Sequence, residues 1–243
     1  MKKAGIIIAV VVVVGAICAG LVLRGWPGVL TGSGNLETEE YAFANFTRVE
    51  VSSAFVFEIK QSGSYGINIT ADDNVIDYVQ VTQDGQTLKI SVGGAPRSFR
   101  LVTLKVSVTM PELSRLAVSG ACSGTVSNFN STGAVSIAVS GASRVTGDIT
   151  AADIGFDVSG ASTVQLEGSA DDMVAVVSGA CTFNLDDFTV SNANVNISGA
   201  STGTINLDGR LDANVSGAST LLYIGDPLMG TINVSGASTL RKK

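Results

Sequence analysis

The stretch "VSGAS" at Val139–Ser143 comes back, almost letter for letter, down the second half of the chain. Aligned on the serine of S-G-A, the copies begin at Ser119, Ser140, Ser159, Ser178, Ser198, Ser216 and Ser235, with spacings of 21, 19, 19, 20, 18 and 19 residues. A fixed period near 20 is the mark of a solenoid. Each repeat is a unit that cannot bury its apolar side alone and must stack on its neighbours.

The columns of the alignment say what is stacked. The residue before each serine is Val118, Val139, Val158, Val177, Ile197, Val215 or Val234, β-branched in every copy. Two places earlier stand Leu116, Ile137, Phe156, Ala175, Val195, Ala213 and Ile232, while Asp157, Asn196, Asn214 and Asn233 fall between the two apolar columns. Alternation of this kind is a strand with one buried face. A second short strand follows each S-G-A, as in "STVQLEG" (Ser162–Gly168) and "CTFNLDD" (Cys181–Asp187), and a polar turn such as "SADD" (Ser169–Asp172) leads back. The predicted fold class is all-β: a single-stranded parallel β-helix of about 19-residue rungs, each about 4.8 Å above the last. Right-handed coiling is the expected hand for parallel crossovers.

The motif glycines Gly120, Gly141, Gly160, Gly179, Gly199, Gly217 and Gly236 are placed at the corner of each rung. They are expected there with φ above zero, or with backbone packed too closely for a Cβ. They are the only site residues the sequence nominates, and their role is structural. Cys122 and Cys181 take the column otherwise held by Ser143, Ser162, Ser201, Ser219 and Ser238, three rungs apart. At about 14 Å that is too far for a disulfide. Two unpaired buried thiols are predicted.

Four regions follow. Residues 1–25 hold the uncharged run Ala4–Leu23 behind Lys2 and Lys3, long enough to cross a bilayer as a helix with the rest of the chain outside. It reads first as an uncleaved single-pass anchor and second as a cleaved signal. Ile17 before Cys18 counts against a lipid-modified cysteine. Residues 26–41, with Trp26, Pro27 and a Gly/Ser cluster, read as a linker. Residues 42–115 read as the irregular start of the solenoid, where Val51-Ser52-Ser53-Ala54 is a degenerate motif copy. Asp84-Gly85 between two strand patterns is a hairpin or tight-turn signal there, and Ala71–Val79 has room for one helical turn. Residues 116–243 are the regular repeat. Arg241, Lys242 and Lys243 after the last copy would discourage another chain from pairing on that end.

Composition removes several functions. The net charge of −6 argues against a nucleic-acid partner. The absence of histidine removes the commonest general base and metal ligand. Between Leu116 and Leu240 there are 11 acidic residues against Arg144 and Arg210, a poor surface for a lyase of acidic sugars. The pairs Asp171-Asp172 and Asp186-Asp187 could serve acid/base chemistry, but neighbours on a strand point to opposite faces, so solvated turns are the preferred reading. The chain has no calcium nonapeptide repeat, and neither metal nor cofactor is called for. The asparagine column Asn196, Asn214, Asn233 is read as a stacked ladder, and Thr163, Thr182, Thr202, Thr220 and Thr239 as a second polar one.

The segments "NFTRVEVSSAFVFEIKQ", "TADDNVIDYVQV", "GQTLKISV" and "LKVSVTMPELSRLAVSGA", in that order and followed by the serial S-G-A-S copies, resemble the head GIN domain family over about residues 42–240. The resemblance implies a β-helix-like domain at or beyond the cell envelope and an adhesin-like role, with no catalytic residues to carry over. The resulting expectation is a membrane-anchored, non-catalytic domain that meets envelope or host glycans or proteins. The alternatives are a self-associating structural module joined through its rung ends, or a carbohydrate-active enzyme.

Overall fold

The computed structural model describes residues 29–94 and 98–243. The predicted membrane span, residues 4–23, lies outside them, as does Cys18. Among the described residues no helix is long and apolar enough to cross a membrane.

The described residues open with β1 (Val29–Thr31) and β2 (Leu36–Glu40), so the stretch read as linker carries two strands. Leu36-Glu37-Thr38-Glu39-Glu40 hides its character because it is an edge strand with little burial on either side. Next come β3 (Arg48–Val51), β4 (Val56–Gln61), β5 (Gly66–Asp72), a 3-10 turn at Ile76–Tyr78, β6 (Val79–Asp84), β7 (Thr87–Val92), β8 (Ser98–Arg100) and β9 (Leu104–Met110). The short helical turn and the β6–β7 hairpin fall where the sequence marks them, and Gly85 takes φ +57° in the hairpin loop. The regular part runs β10 (Arg115–Val118), β11 (Ser123–Asn130), β12 (Val135–Val139), β13 (Arg144–Thr150), β14 (Asp153–Val158), β15 (Thr163–Val177), β16 (Thr182–Ile197), β17 (Thr202–Leu207), β18 (Arg210–Val215), β19 (Thr220–Ile224), β20 (Leu228–Val234) and β21 (Thr239–Lys242).

These strands stack into a parallel β-solenoid. The first face runs β7-β3-β10-β12-β14, then the second halves of β15 and β16, then β18 and β20. The second face runs β9-β4-β11-β13, the first halves of β15 and β16, then β17, β19 and β21. Register along the first face places Val51, Val118, Val139, Val158, Val177, Ile197, Val215 and Val234 in one column. All but the last are buried. Removing each such side chain from water contributes about 1.5–3 kcal/mol, so the column is a main source of cohesion. A short third side, with Ile149, Ala151, Ala170, Phe188 and Val190 buried, closes the cross-section. Here Ser169–Asp172 is part of the continuous strand β15 rather than a turn, because the register slips past a bulge and the pairing continues.

The irregular start is stacked out of chain order. The β7–β9 rung comes after β3–β4 in sequence but lies outside it, so β3 is sandwiched between β7 and β10. Antiparallel β5 then covers β9, β2 covers β5, and β6 covers β7. These ladders and the core cluster from Phe46 to Leu221, the core of the described coil, all lie between Val29 and Lys243.

The rungs are locked at the corner between the faces. Gly160 has φ +77°, and a Cβ there would lie 2.3 Å from the Gly141 carbonyl oxygen. Gly160→Val therefore meets both a left-handed backbone and a neighbouring rung. It should cost at least about 3 kcal/mol. Gly155, on the outer side of β14 with nothing within 4 Å of its would-be Cβ, is the control. Gly155→Ala should change the melting temperature by less than about 3 °C, whereas Gly160→Val should lower it by more than about 6 °C. Thermal unfolding followed by circular dichroism checks both.

Candidate interaction surface

The corner is a line of backbone against backbone. In one rung step, Ser159 N–H donates to Val139 O at 2.9 Å, Ala161 N–H to Gly141 O at 2.7 Å, and Thr163 N–H to Ser143 O at 2.8 Å. The same three bonds recur up the coil. The seven motif glycines form one stack, with φ between +73° and +96°. At its foot Gly120 rests on Ser53, where Ser53 and Ala54 take φ of +73° and +66°.

Behind the corner lies the serine column. Ser143, Ser162, Ser201 and Ser219 are buried, and the Ser162 hydroxyl donates to Ser159 O at 2.8 Å. The Cys181 thiol donates to the equivalent Ser178 O at 3.2 Å, so sulfur and hydroxyl occupy one role. Cys122 and Cys181 are both unpaired and buried, and burial pushes the Cys122 thiol up from its ordinary range. Such a thiol is a packing group rather than a nucleophile.

The outer sides of the strands carry the variable residues. On the second face one column reads Thr70, Lys105, Val56, Ser123, Arg144, Thr163, Thr182, Thr202, Thr220, Thr239. Two residues along the strands, a parallel column reads Asn68, Ser107, Glu58, Thr125, Thr146, Gln165, Asn184, Thr204. Where these columns cross β5, β9, β4 and β11 they line a shallow groove of about 590 Å³. Val56, 55% exposed, lies in its lining among Glu58, Asn68, Lys105, Ser107 and Thr125. Asn68 also lines a neighbouring hollow of about 320 Å³ with Tyr41 and Tyr65. Sequence reasoning missed this groove. Its one visible signal is the valine at an outward position of β4.

The first face presents Asn196, Asn214 and Asn233 in register, as one column. Side-chain bonds beside it run from Asn192 to Asp172 at 2.8 Å and from the Arg210 guanidinium to both oxygens of Asp212. The bond from Arg210 holds the Asp212 carboxyl down to about 2.

The acidic pairs are not brought together into a catalytic site. Asp171 and Asp172 are exposed on β15, and Asp187 is exposed on β16. Asp186 accepts Lys243, and its other carboxylate oxygen is buried without a partner. Among the described residues no three His, Cys, Asp or Glu side chains gather where they could hold a metal ion.

A parallel solenoid with a backbone-stacked corner, a filled interior and variable outer columns defines a class of all-β domain whose identity lies on its surface. The chain belongs to the family described as "Putative auto-transporter adhesin, head GIN domain", whose model matches residues 45–227. Among solved structures it is similar to a "putative adhesin" from Bacteroides fragilis, at 21% identity over 88% of this chain and 100% of that one, with a TM-score of 0.83. A "putative adhesin" from Parabacteroides merdae is 19% identical over 89% and 99% of the two chains, with a TM-score of 0.69. A "putative lipid binding protein" from Parabacteroides distasonis is 20% identical over 88% and 99%, with a TM-score of 0.62. These likenesses show the fold. No curated protein matches the chain.

Because Ser162 and Cys181 make the same bond, Cys181→Ser should change stability by less than about 1 kcal/mol. In the Val29–Lys243 chain both native thiols should resist Ellman's reagent until the protein is unfolded. A fast-reacting thiol in the folded state would contradict their placement.

Proposed function

We propose that the protein is a non-catalytic, adhesin-like domain displayed outside the cytoplasm, held to the membrane as a single-pass protein by residues 4–23. Its coil is taken as right-handed, the hand that parallel crossovers favour. Envelope or host glycans or proteins are its targets, met through the outer columns of the second face.

The observation that carries this reading is the groove over β5, β9, β4 and β11. Its volume of about 590 Å³ lies within the range of small-ligand sites, and its lining mixes hydroxyl, amide and charged groups around the exposed Val56. That mixture suits a hydroxyl-rich or peptide-like ligand. Membership of an adhesin-named family supports the role, and the long apolar run Ala4–Leu23 supports the anchor.

The Val29–Lys243 chain, applied to a glycan array and to whole cells, is expected to bind. The double variant Asn68→Ala/Lys105→Glu is expected to lose at least about tenfold in affinity with its melting temperature unchanged. Binding that ignores the groove variants would move the site elsewhere, and binding to nothing would remove the reading. For the anchor, full-length protein should fractionate with membranes and the same protein without residues 4–23 should not.

A further inference from the structure

Among the described residues, the strands at each end of the solenoid pair on one side only. At the far end these are β20 and β21. Val234 is 46% exposed where Val215, one rung earlier, is fully buried, and Leu228 on the same strand is 70% exposed. At the near end, among the described residues, the edge strands are β6 and β2.

The edge strands of the second face carry opposite charge. β2 presents Glu37, Glu39 and Glu40, and β21 with the residue after it presents Arg241, Lys242 and Lys243. Directions agree as well. β2 is antiparallel to β5 and β5 to β9, so β2 runs the same way as β9, β4 and every later strand of that face, β21 included. We propose that copies of this chain associate head to tail, with β21 of one copy beside β2 of the next, so that the second face continues across the joint.

Side-chain parity and charge together set the register. Glu37 and Glu39 lie opposite Ala71 and Ile69, which point into the core, and Leu240 and Lys242 continue the inner column of Leu221 and Tyr223. Matching inner with inner, and cation with carboxylate at both neighbouring positions, sets Lys242 beside Glu39 and Lys243 beside Glu40. Lys242 and Lys243 now pair with Asp226 and Asp186 at the surface. Exposed pairs of that kind hold weakly and can exchange. Like ends would set three cations against three cations, or three carboxylates against three carboxylates, so charge selects the unlike joint. Because that joint does not close on itself, the product is an open series rather than a dimer. This inference stands independently of the ligand groove.

Sedimentation velocity on the Val29–Lys243 chain at low salt should show species that lengthen with concentration and shorten in high salt. Reversing one end, by Glu37→Lys/Glu39→Lys/Glu40→Lys or by Arg241→Glu/Lys242→Glu/Lys243→Glu, should weaken association at least about tenfold. Mixing the two reversed variants should restore it, because each then offers the charge the other lacks. Circular dichroism verifies that both are folded. A chain that stays monomeric at low salt, a closed dimer indifferent to the β2 charges, or reversed variants that fail to rescue one another would each overturn the proposal.

Discussion

Backbone stacked directly on backbone at one corner of the coil is the constraint on which the rest of this molecule depends. A Cβ on Gly141, Gly160, Gly179 or Gly199 would stand 2.3–2.4 Å from the carbonyl oxygen of the glycine one rung earlier. The contact leaves no room for a side chain and fixes the phase of each rung relative to the last. Once that phase is set, the valine before the serine falls on the valine before it, and the hydroxyl or thiol after the alanine falls into the buried column behind the corner. Rung length can vary from 18 to 21 residues because the third side absorbs the difference through register slips such as those between Gln165 and Gly168 or Asn184 and Thr189.

The foot of this column shows the rule by its exception. Ser53 and Ala54 hold the same left-handed backbone although they carry side chains. Below them the chain does not repeat the motif. It departs at Val92, whose N–H donates to the Ser53 hydroxyl at 3.3 Å, so the serine oxygen takes up the bond a rung below would have supplied. The left-handed conformation costs something at a non-glycine residue, but it is sterically open where no glycine carbonyl presses from beneath.

The parts that were legible from residues alone are those governed by this local period: the strand class, the inward columns, the hairpin at Asp84-Gly85 and the degenerate copy at Val51–Ala54. Three features were not. The β7–β9 rung lies outside β3–β4 because stacking order is a choice among long-range pairings, to which an alternating pattern is indifferent. β2 passed for linker because its three glutamates hide an edge strand. Ser169–Asp172 passed for a turn because its polar run carries the strand around a bend on the solvent side. The groove depended on the first of these. Val56, Asn68 and Lys105 become neighbours only once β4 and antiparallel β5 flank β9, which comes later in the chain than both.

The corner that unifies the interior also separates two kinds of surface freedom. Along the coil, outer side chains such as Arg144, Gln165 and Asn184 touch no corner bond, so they can change without disturbing the stack, and a binding surface can diversify on an unchanged coil. The ends have no such freedom, because a parallel ladder always leaves its last strand with unpaired amide and carbonyl groups. Charges turned to the inner side are one way to guard such an edge. Glu37 and Glu39 stand in that position at one end and Lys242 at the other. The same guard with opposite sign has a different consequence from the same guard repeated. Each end rejects its own kind, and among the described residues the β2 edge matches β21 in direction and compensates its charge.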